Sequence, residues 1–478
     1  MSYLLTIGLE IHIKIKSINK MFCQCKNEQN FDTLLPNTNI CPVCTAQPGA
    51  LPTLSQEVLD KALILGKALN CQINKTSKFD RKSYFYPDLP MGYQITQLYQ
   101  PTNTKGHVNF FLENYTKEKT IHILDAHMES DTAKMIHDWW QALLDFNRAC
   151  TPLVEIVTGP DFSNAEEVTE FLKELQRIVK YNNIADADME KWQMRIDVNI
   201  SIRKNESEPL WTRVELKNIN SLWSIRRAIE NEYNRQAAIY DAWEKFTQQT
   251  RWWNDPENTS YLMRSKEDAL DYRYFPEPDL PPLVLDDKKL EELNNVKLEI
   301  PYNIIKQLKE EYWFNKEYIN WIIQDKEILD YFIQYSQKFD PKVCAKWITW
   351  PIAARTKENF KTINEMHFSK DNFNEFLAVA SEWNILENQL KEIMDIMIQT
   401  WQSPKKIIEE KWFWAPSMDS NELEEIAKTI LAENPAIVEQ YKWWKTTTLW
   451  FFVWQVMKKT WWKINPKQAW EIIQKLLS

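Results

Sequence analysis

A long chain cannot turn without placing some residues at positive φ, and glycine is the residue that does so without steric cost. This chain has 6 glycines in 478 residues, against 23 tryptophans. Average glycine usage is about 7%, several times what is present. Tryptophan stands where turns and helix ends call for glycine. Trp401 follows a long helical run and precedes Gln402-Ser403-Pro404, and Trp461-Trp462 precedes Ile464-Asn465-Pro466. Trp450 and Trp454 sit four apart in an apolar segment. One residue type missing and another in excess is what UGA codons read as glycine in the cell, but written here as tryptophan, would leave. A genuinely tryptophan-rich protein is the other reading.

Three stretches alternate as strands do. Ile7, Leu9, Ile11, Ile13 and Ile15 oppose Gly8, Glu10, His12, Lys14 and Lys16. Ile196, Val198, Ile200 and Ile202 oppose Arg195, Asp197, Asn199, Ser201 and Arg203; Val214 and Leu216 oppose Arg213, Glu215 and Lys217. A strand has period two, so each stretch buries one face and offers the other. The offered faces carry carboxylates, a histidine and cations, which together could hold a divalent metal and the phosphates of a nucleotide. A merely solvated sheet face would look the same taken strand by strand.

The chain is long enough for two or three domains. Strands mix with short helices up to about residue 295, and after Pro301 the pattern is helical, with apolar residues at Ile319, Ile322, Ile323, Leu329, Phe332 and Ile333. That order makes an α+β fold: a mixed-sheet domain over 1–295 and helical segments over 296–405 and 406–478, with breaks near Pro404 and Ser417–Asn421. The net charge of −9 excludes a basic nucleic-acid wrapper, so an RNA partner would meet local patches. One such patch runs from Tyr441 to Ser478, with seven lysines and Glu471 as its one acidic residue. No apolar run reaches spanning length. Met1 leads almost directly into a strand, and seven cysteines without a secretory signal argue for a reducing, cytoplasmic setting.

Cys23 and Cys25, then Cys41 and Cys44, form two close pairs that suit a closed tetrahedral structural zinc over 23–44. Unligated thiols or disulfides are the competing readings. Cys71, Cys150 and Cys344 are isolated in sequence and read as ordinary buried thiols. The run His127-Met128-Glu129-Ser130-Asp131 follows a short strand over Ile121–Leu124. Glu155 lies inside the apolar run Leu153 to Val157, where a carboxylate is costly unless it is paired, with Arg148 or Arg195 for instance, or bound to metal. Magnesium takes hard oxygen ligands, which Glu10, Glu129 and Glu155 could supply, with His12 alongside. Cations mix with aromatics at Arg81 to Asp88 and at Asp271 to Pro281, a mixture that suits phosphate contact and stacking. No Walker or kinase glycine loop is present.

At this point a resemblance emerges. Ile7 to His12, Phe79 to Lys82, Tyr84 to Asp88, Asp145 to Arg148, Arg213 to Ser221 and Asp271 to Pro281 together resemble the B subunit of the aspartyl/glutamyl-tRNA amidotransferases, and the likeness runs nearly end to end. The paired cysteines are similar to its zinc-bearing members. The resemblance implies a cradle-shaped catalytic domain, a helical linker and a helical tail that grips tRNA. It implies a heterotrimer with an amidase subunit (A) and a small subunit (C), and tRNA(Gln) or tRNA(Asn) as partner. The activity implied is a glutamine-dependent carbon–nitrogen ligase: ATP phosphorylates the side-chain carboxylate of Glu-tRNA(Gln) or Asp-tRNA(Asn), and ammonia then displaces the phosphate. The chain has no amidase signature, so ammonia would come from the partner. By resemblance, His12, Glu129 and Glu155 hold Mg2+, with Glu10 beside them as a catalytic residue. The strand faces and cation-rich segments add Arg81, Lys82, Arg195, Asp197, Asn199, Glu215 and Lys217 as the ATP and carboxylate pocket. The family pattern has glycine where this chain has Trp192, Trp211, Trp350, Trp401, Trp412, Trp450, Trp454 and Trp462; Trp253 and Trp347 match true tryptophans. Asp125, Ser130 and Gly159 depart from the family's more usual arginine, glutamate and glutamate. Those departures keep open a zinc-stabilised tRNA-binding protein without catalysis; a carboxylate ligase that needs no tRNA is a third reading, against which the helical tail argues.

Overall fold

The computed structural model describes residues 3–138, 140–265, 271–349, 369–382, 385–411, 413, 420–435, 437–438, 449–460 and 466–477. The chain divides into two compact units, Met1–Lys306 and Gln307–Ser478.

The alternating stretches become neighbours in one nine-stranded sheet. Its strands are β1 (Leu4–Lys14), β2 (Gln72–Ile73), β3 (Asn103–Leu112), β4 (Lys117–Ser130), β5 (Pro152–Thr158), β6 (Met194–Arg203), β7 (Val214–Ile219), β8 (Gln249–Asn254) and β9 (Thr259–Ser265). Their order across the sheet is β9-β8-β7-β6-β1-β5-β4-β3-β2, antiparallel except for the parallel pair β7–β8. Ile7, Leu9, Ile11 and Ile13 of β1, and Ile196, Val198, Ile200 and Ile202 of β6, are buried. All but Ile202 share a core with the apolar faces of α1 (Gln56–Ala68), α2 (Ala165–Tyr181) and α3 (Leu222–Asp241). Asn164 and Ser221 start α2 and α3 by accepting the backbone N–H of Glu167 and Ser224, which satisfies an otherwise orphaned donor. With one face packed on helices, the polar residues of β1, β6 and β7 are left on the other.

β4 departs from expectation. A short strand over Ile121–Leu124 becomes a fourteen-residue strand that runs on through His127 and Glu129 to Ser130. It pairs with β3 along one edge and with β5 along the other, so ladder bonds on both sides hold it extended. A small sheet of Asp80–Ser83, Tyr93–Thr96 and Phe275–Pro276 packs against its end, where Gln94 Nε2 donates to the Ser130 carbonyl at 2.8 Å.

The second unit is helical, as the spacing requires. Ile319, Ile322, Ile323, Leu329 and Phe332 are buried, whereas Ile333 is exposed. The tail helices Ser420–Glu433, Leu449–Lys459 and Pro466–Leu477 share a core that includes Leu423, Ala427, Phe452, Val456 and Ile473. Among the described residues no helix is long and apolar enough to cross a membrane.

The tryptophans divide by environment. Trp253 and Trp347 are buried, and the Trp253 indole N–H donates to Asp255 at 2.9 Å. Trp192, Trp243, Trp313 and Trp401 have φ of 56°, 61°, 58° and 62° and are exposed. Trp401 forms the left-handed C-cap of the helix Glu387–Thr400, the position that favours glycine. Trp450 and Trp454 are exposed on their helix, and Trp211 packs against Tyr3 and Tyr240. Trp350, Trp412, Trp461 and Trp462 lie outside the described residues, as do most of the hinge near Ser417 and part of the lysine-rich tail.

Candidate active site

Strand register builds the site. Across β6, β1, β5 and β4, Arg195 pairs with His12, His12 with Glu155, and Glu155 with His127. Directly paired residues point the same way, so these four side chains form a row on the polar face. The next row holds Asp197 beside Glu10, and the one after it Glu215, Asn199 and Gly8. Glu129, two residues after His127 on β4, returns to the same face.

His12 Nε2 lies 3.2 Å from Glu129 Oε1 and 3.4 Å from Glu155 Oε2. Glu155 Oε2 is also 3.3 Å from His127 Nε2, and the other nitrogen of His127 meets Asp125 Oδ1 at 2.7 Å. Burial opposes the charge on His12, but Glu129 and then Glu155 overcome it and hold the imidazole up to about 10. For His127, burial is likewise overcome, by Asp125 and Glu155, again to about 10. Burial would raise Glu155, yet bonds from the two histidines hold it well below the usual carboxylate range. Packed between two imidazoles, Glu155 therefore stays an anion. The departure at Asp125 thus has a partner, His127, whose ring it orients. Ser130 is buried and bonded to Ile95, and the Gly159 N–H donates to the His122 carbonyl.

His12, Glu129 and Arg195 face a cavity of about 310 Å3 that Lys82, Asp197 and Lys217 also line, with Tyr84, Asp131, Trp192 and Trp252 at its walls; Glu155 and His127 do not line it. Glu10 and Asn199 line a neighbouring cavity of about 260 Å3 with Trp211 and Arg213. A larger open groove of about 930 Å3, lined in part by Tyr3, Phe162, Arg203 and Arg226, lacks the histidine–carboxylate group, so the chemistry favours the smaller space.

Each cation of the site is held by carboxylates or by an aromatic ring. Lys217 is bonded to Asp197 and sits 2.9 Å from Glu215. Burial disfavours its charge, but Asp197 and Glu215 raise the ammonium above its ordinary range. Asp131, directly beyond Glu129, takes Arg195 at 3.2 Å and Arg148 at 3.5 Å. These two arginines pair with Asp131, not with Glu155. Lys82 lies over the Tyr272 ring at 5.2 Å. Glu10 accepts from Asn199 Nδ2 at 3.0 Å; burial, then Glu215 and Glu155, push its carboxyl above the usual range. Arg81 is placed differently. It forks onto Glu277 at 2.7 and 2.8 Å, reaches Asp279 at 3.0 Å and stacks over Tyr93, and it does not line the cavity. His127 and Asp131 join the candidate site, although neither had a role on sequence grounds. The signal was the alternation His127, Glu129, Asp131, which was hidden by ending the strand at Leu124.

Three groups among the described residues gather possible metal donors; in the third, Glu10, Asp197 and Glu215, Lys217 already takes Asp197 and Glu215, which leaves two others with the donor chemistry of a metal site. Donor atoms of His12, Glu129 and Glu155 lie within 4.8 Å of one another, a hard set of one nitrogen and two carboxylates. The thiols of Cys23, Cys25, Cys41 and Cys44 lie within the same limit, a soft set with tetrahedral ligand number. Cys150, isolated in sequence, is buried in this second cluster.

The model of the GatB/GatE catalytic domain matches residues 5–291, and that of the GatB domain matches residues 330–477. This chain belongs to the GatB family. The aspartyl/glutamyl-tRNA(Asn/Gln) amidotransferase B subunit of Clostridium beijerinckii is 38% identical over 483 residues, covering all of both chains. The protein of the same name in Pseudothermotoga lettingae is 39% identical over 488 residues, again over both full lengths. That of Crocosphaera subtropica is 38% identical, covering 99% of this chain and 97% of its own. In the GatB catalytic domain of this chain, the strands β1, β4, β5, β6 and β7 carry the polar row, and the GatB domain spans the tail helices.

Proposed function

We infer that this chain is the ATP-dependent activating subunit of a tRNA-dependent amidotransferase. The observation that carries this reading is the His12, Glu129 and Glu155 group, whose His12 and Glu129 line a cavity edged by Lys82, Arg195 and Lys217. The substrate is a tRNA mischarged with glutamate or aspartate, whose side-chain carboxylate is a poor electrophile because its leaving group is oxide. A carboxylate oxygen bonds to the γ-phosphorus of ATP and ADP leaves. Ammonia then attacks the acyl carbon, phosphate leaves with the bonding pair, and ammonia's extra proton passes to a base. The amidase subunit supplies the ammonia, and a small third subunit completes the heterotrimer. The setting is cytoplasmic, and the tail over 406–478 contacts the tRNA through shape and backbone.

Phosphoryl transfer depends on position and charge more than on covalent help. Bound at Glu129, Glu155 and His12, whose imidazole would give up its proton to serve as a ligand, Mg2+ would neutralise phosphate charge. His127, braced by Asp125, keeps the Glu155 oxygens aimed at that position. Lys82, Arg195 and Lys217 meet phosphate and carboxylate oxygens, while Asp131, Asp197 and Glu215 fix where two of those cations, Arg195 and Lys217, sit. Glu10, with its carboxyl pushed up by burial and by like charge, is the group able to exchange a proton with the arriving nitrogen. Arg81 is tied to Glu277 and supports the wall that carries Lys82. The cysteine knuckle takes zinc and holds its loop without an open position.

We also read Trp192, Trp243, Trp313 and Trp401 as glycine in the natural protein, with the positive φ of each as support. Trp192 lines the site, so glycine there would widen the cavity. A tandem mass spectrum of native peptides spanning these positions tests this reading, and tryptophan at all four would overturn it. The functional reading is tested in the complete complex with Glu129→Gln and Glu155→Gln. Amide formation falls at least about a hundredfold while assembly and tRNA binding persist. Full activity in both variants would sink the assignment.

A further inference from the structure

Lys20 is among the most deeply buried charged side chains of the molecule, at 0% exposure. It sits in the turn that carries Cys23 and Cys25, closed by the bridge between Asn19 and Lys26 and by the Lys20 N–H donating to the Cys25 carbonyl at 2.8 Å. Its ammonium meets the Asn39 carbonyl at 2.9 Å and Cys44 Sγ at 3.9 Å. No carboxylate among the described residues forms an ion pair with it. The Lys20 head thus lies between a carbonyl and the sulfur of a knuckle cysteine, placed to offset negative charge that a bound metal would leave on that sulfur. The Asn39 loop is also fixed from outside, by Asn147 Oδ1 accepting from the Asn39 N–H at 2.7 Å and by Asn39 Nδ2 donating to the Lys26 carbonyl at 2.8 Å. The cation is therefore delivered to Cys44 by a braced loop, and the Cys41 N–H adds a second donor to the same sulfur at 3.1 Å.

We propose that Lys20 is the built-in counter-cation of a four-thiolate metal site, so that the knuckle binds a thiophilic divalent ion as a buried dianionic complex. Four thiolates and one divalent ion sum to a charge of −2, and the Lys20 ammonium and the Cys41 N–H offset it inside the protein. The proposal rests on the metal reading of the knuckle, and the two fail differently. A purified complex without stoichiometric metal at these cysteines would end that reading. Stoichiometric metal that is indifferent to Lys20 would end this one alone.

The test is Zn2+ affinity of the complete complex in competition with a chromophoric chelator. Lys20→Met keeps the stem and removes the charge, and binding should weaken by about ten- to a hundredfold. Cys41→His leaves a three-thiolate site whose complex carries a charge of −1, with less need of a counter-cation. The cost of Lys20→Met should therefore shrink severalfold in the Cys41→His background. A lysine that only packs the loop would cost the same in both backgrounds, and that equality would overturn the proposal, as would wild-type affinity in Lys20→Met. If Lys20→Met alone does not fold but the double variant does, the charge account is supported. If neither folds, the lysine serves packing and the proposal falls.

Discussion

The cysteine knuckle and the strand-borne group of His12, Glu129 and Glu155 both gather several ligand atoms within 4.8 Å, yet they are built to opposite ends. The knuckle is made of loops and spends four soft donors on one another's position. Its surroundings include the buried Lys20 and the Cys41 N–H, and four protein ligands leave a tetrahedral ion no open position. The strand group comes from three adjacent strands of a large sheet and opens onto a cavity. Its donors are two carboxylates and an imidazole nitrogen, and its neighbours are cations on tethers. Closure gives stability, whereas ligand atoms left facing space on a rigid frame give chemistry. Arg81 belongs with the knuckle in this respect: its fork is filled by Glu277, whose side chain is fully buried.

Substitutions can break this contrast. Glu155→Gln should cost the most function, at least about a hundredfold in amide formation, with the complex still assembled; the rate in a complete complex checks it. Arg81→Met should do the reverse. It strands the buried Glu277 carboxylate and should cost about 3–5 kcal/mol of stability, read from denaturant midpoints, with the KM for ATP little changed. A large rise in that KM with stability intact would move Arg81 into the site.

Glu174 lies between these extremes. It is buried, accepts the Tyr302 N–H at 2.6 Å and has Arg177 only at 3.8 Å. Burial pushes its carboxyl up to about 7 from an unfolded value of 4.5. The folded state then holds a proton that the unfolded chain releases, so this group's contribution is full below about 4.5 and is lost as pH rises through about 7. Glu174→Gln should flatten stability over that window and add up to about 3 kcal/mol at pH 8, measured by denaturation at several pH values. The smallest effect belongs to Trp401→Gly. Removing the side chain from a left-handed C-cap should stabilise by about 1 kcal/mol, seen as a small rise in midpoint.

Much of this was legible in the sequence, for particular reasons. Period two placed Glu10, His12, Arg195, Asp197, Asn199, Glu215 and Lys217 on polar faces, and the sheet unites those faces. Register was not legible: nothing local says that His12 pairs with both Arg195 and Glu155. The partner of Arg81 was hidden because Glu277 lies 196 residues away. Asp131 was hidden because β4 is long only by virtue of neighbours on both edges. Cys150 looked isolated because its approach to the knuckle is made in space, through the Met21 N–H donating to the Cys150 carbonyl. The change to helices after Pro301 was plain from spacing, while the exposure of Ile333 depended on packing.

The measurement closest to the central claim is Mn2+ binding to the complete complex, followed by electron paramagnetic resonance. Wild type and Glu129→Gln would be compared, with zinc content determined on the same samples. The account predicts a Mn2+ site that is lost or weakened at least about tenfold in the variant, with zinc unchanged. Equal Mn2+ binding in both proteins would contradict it, because the strand group would then not be the hard-metal site.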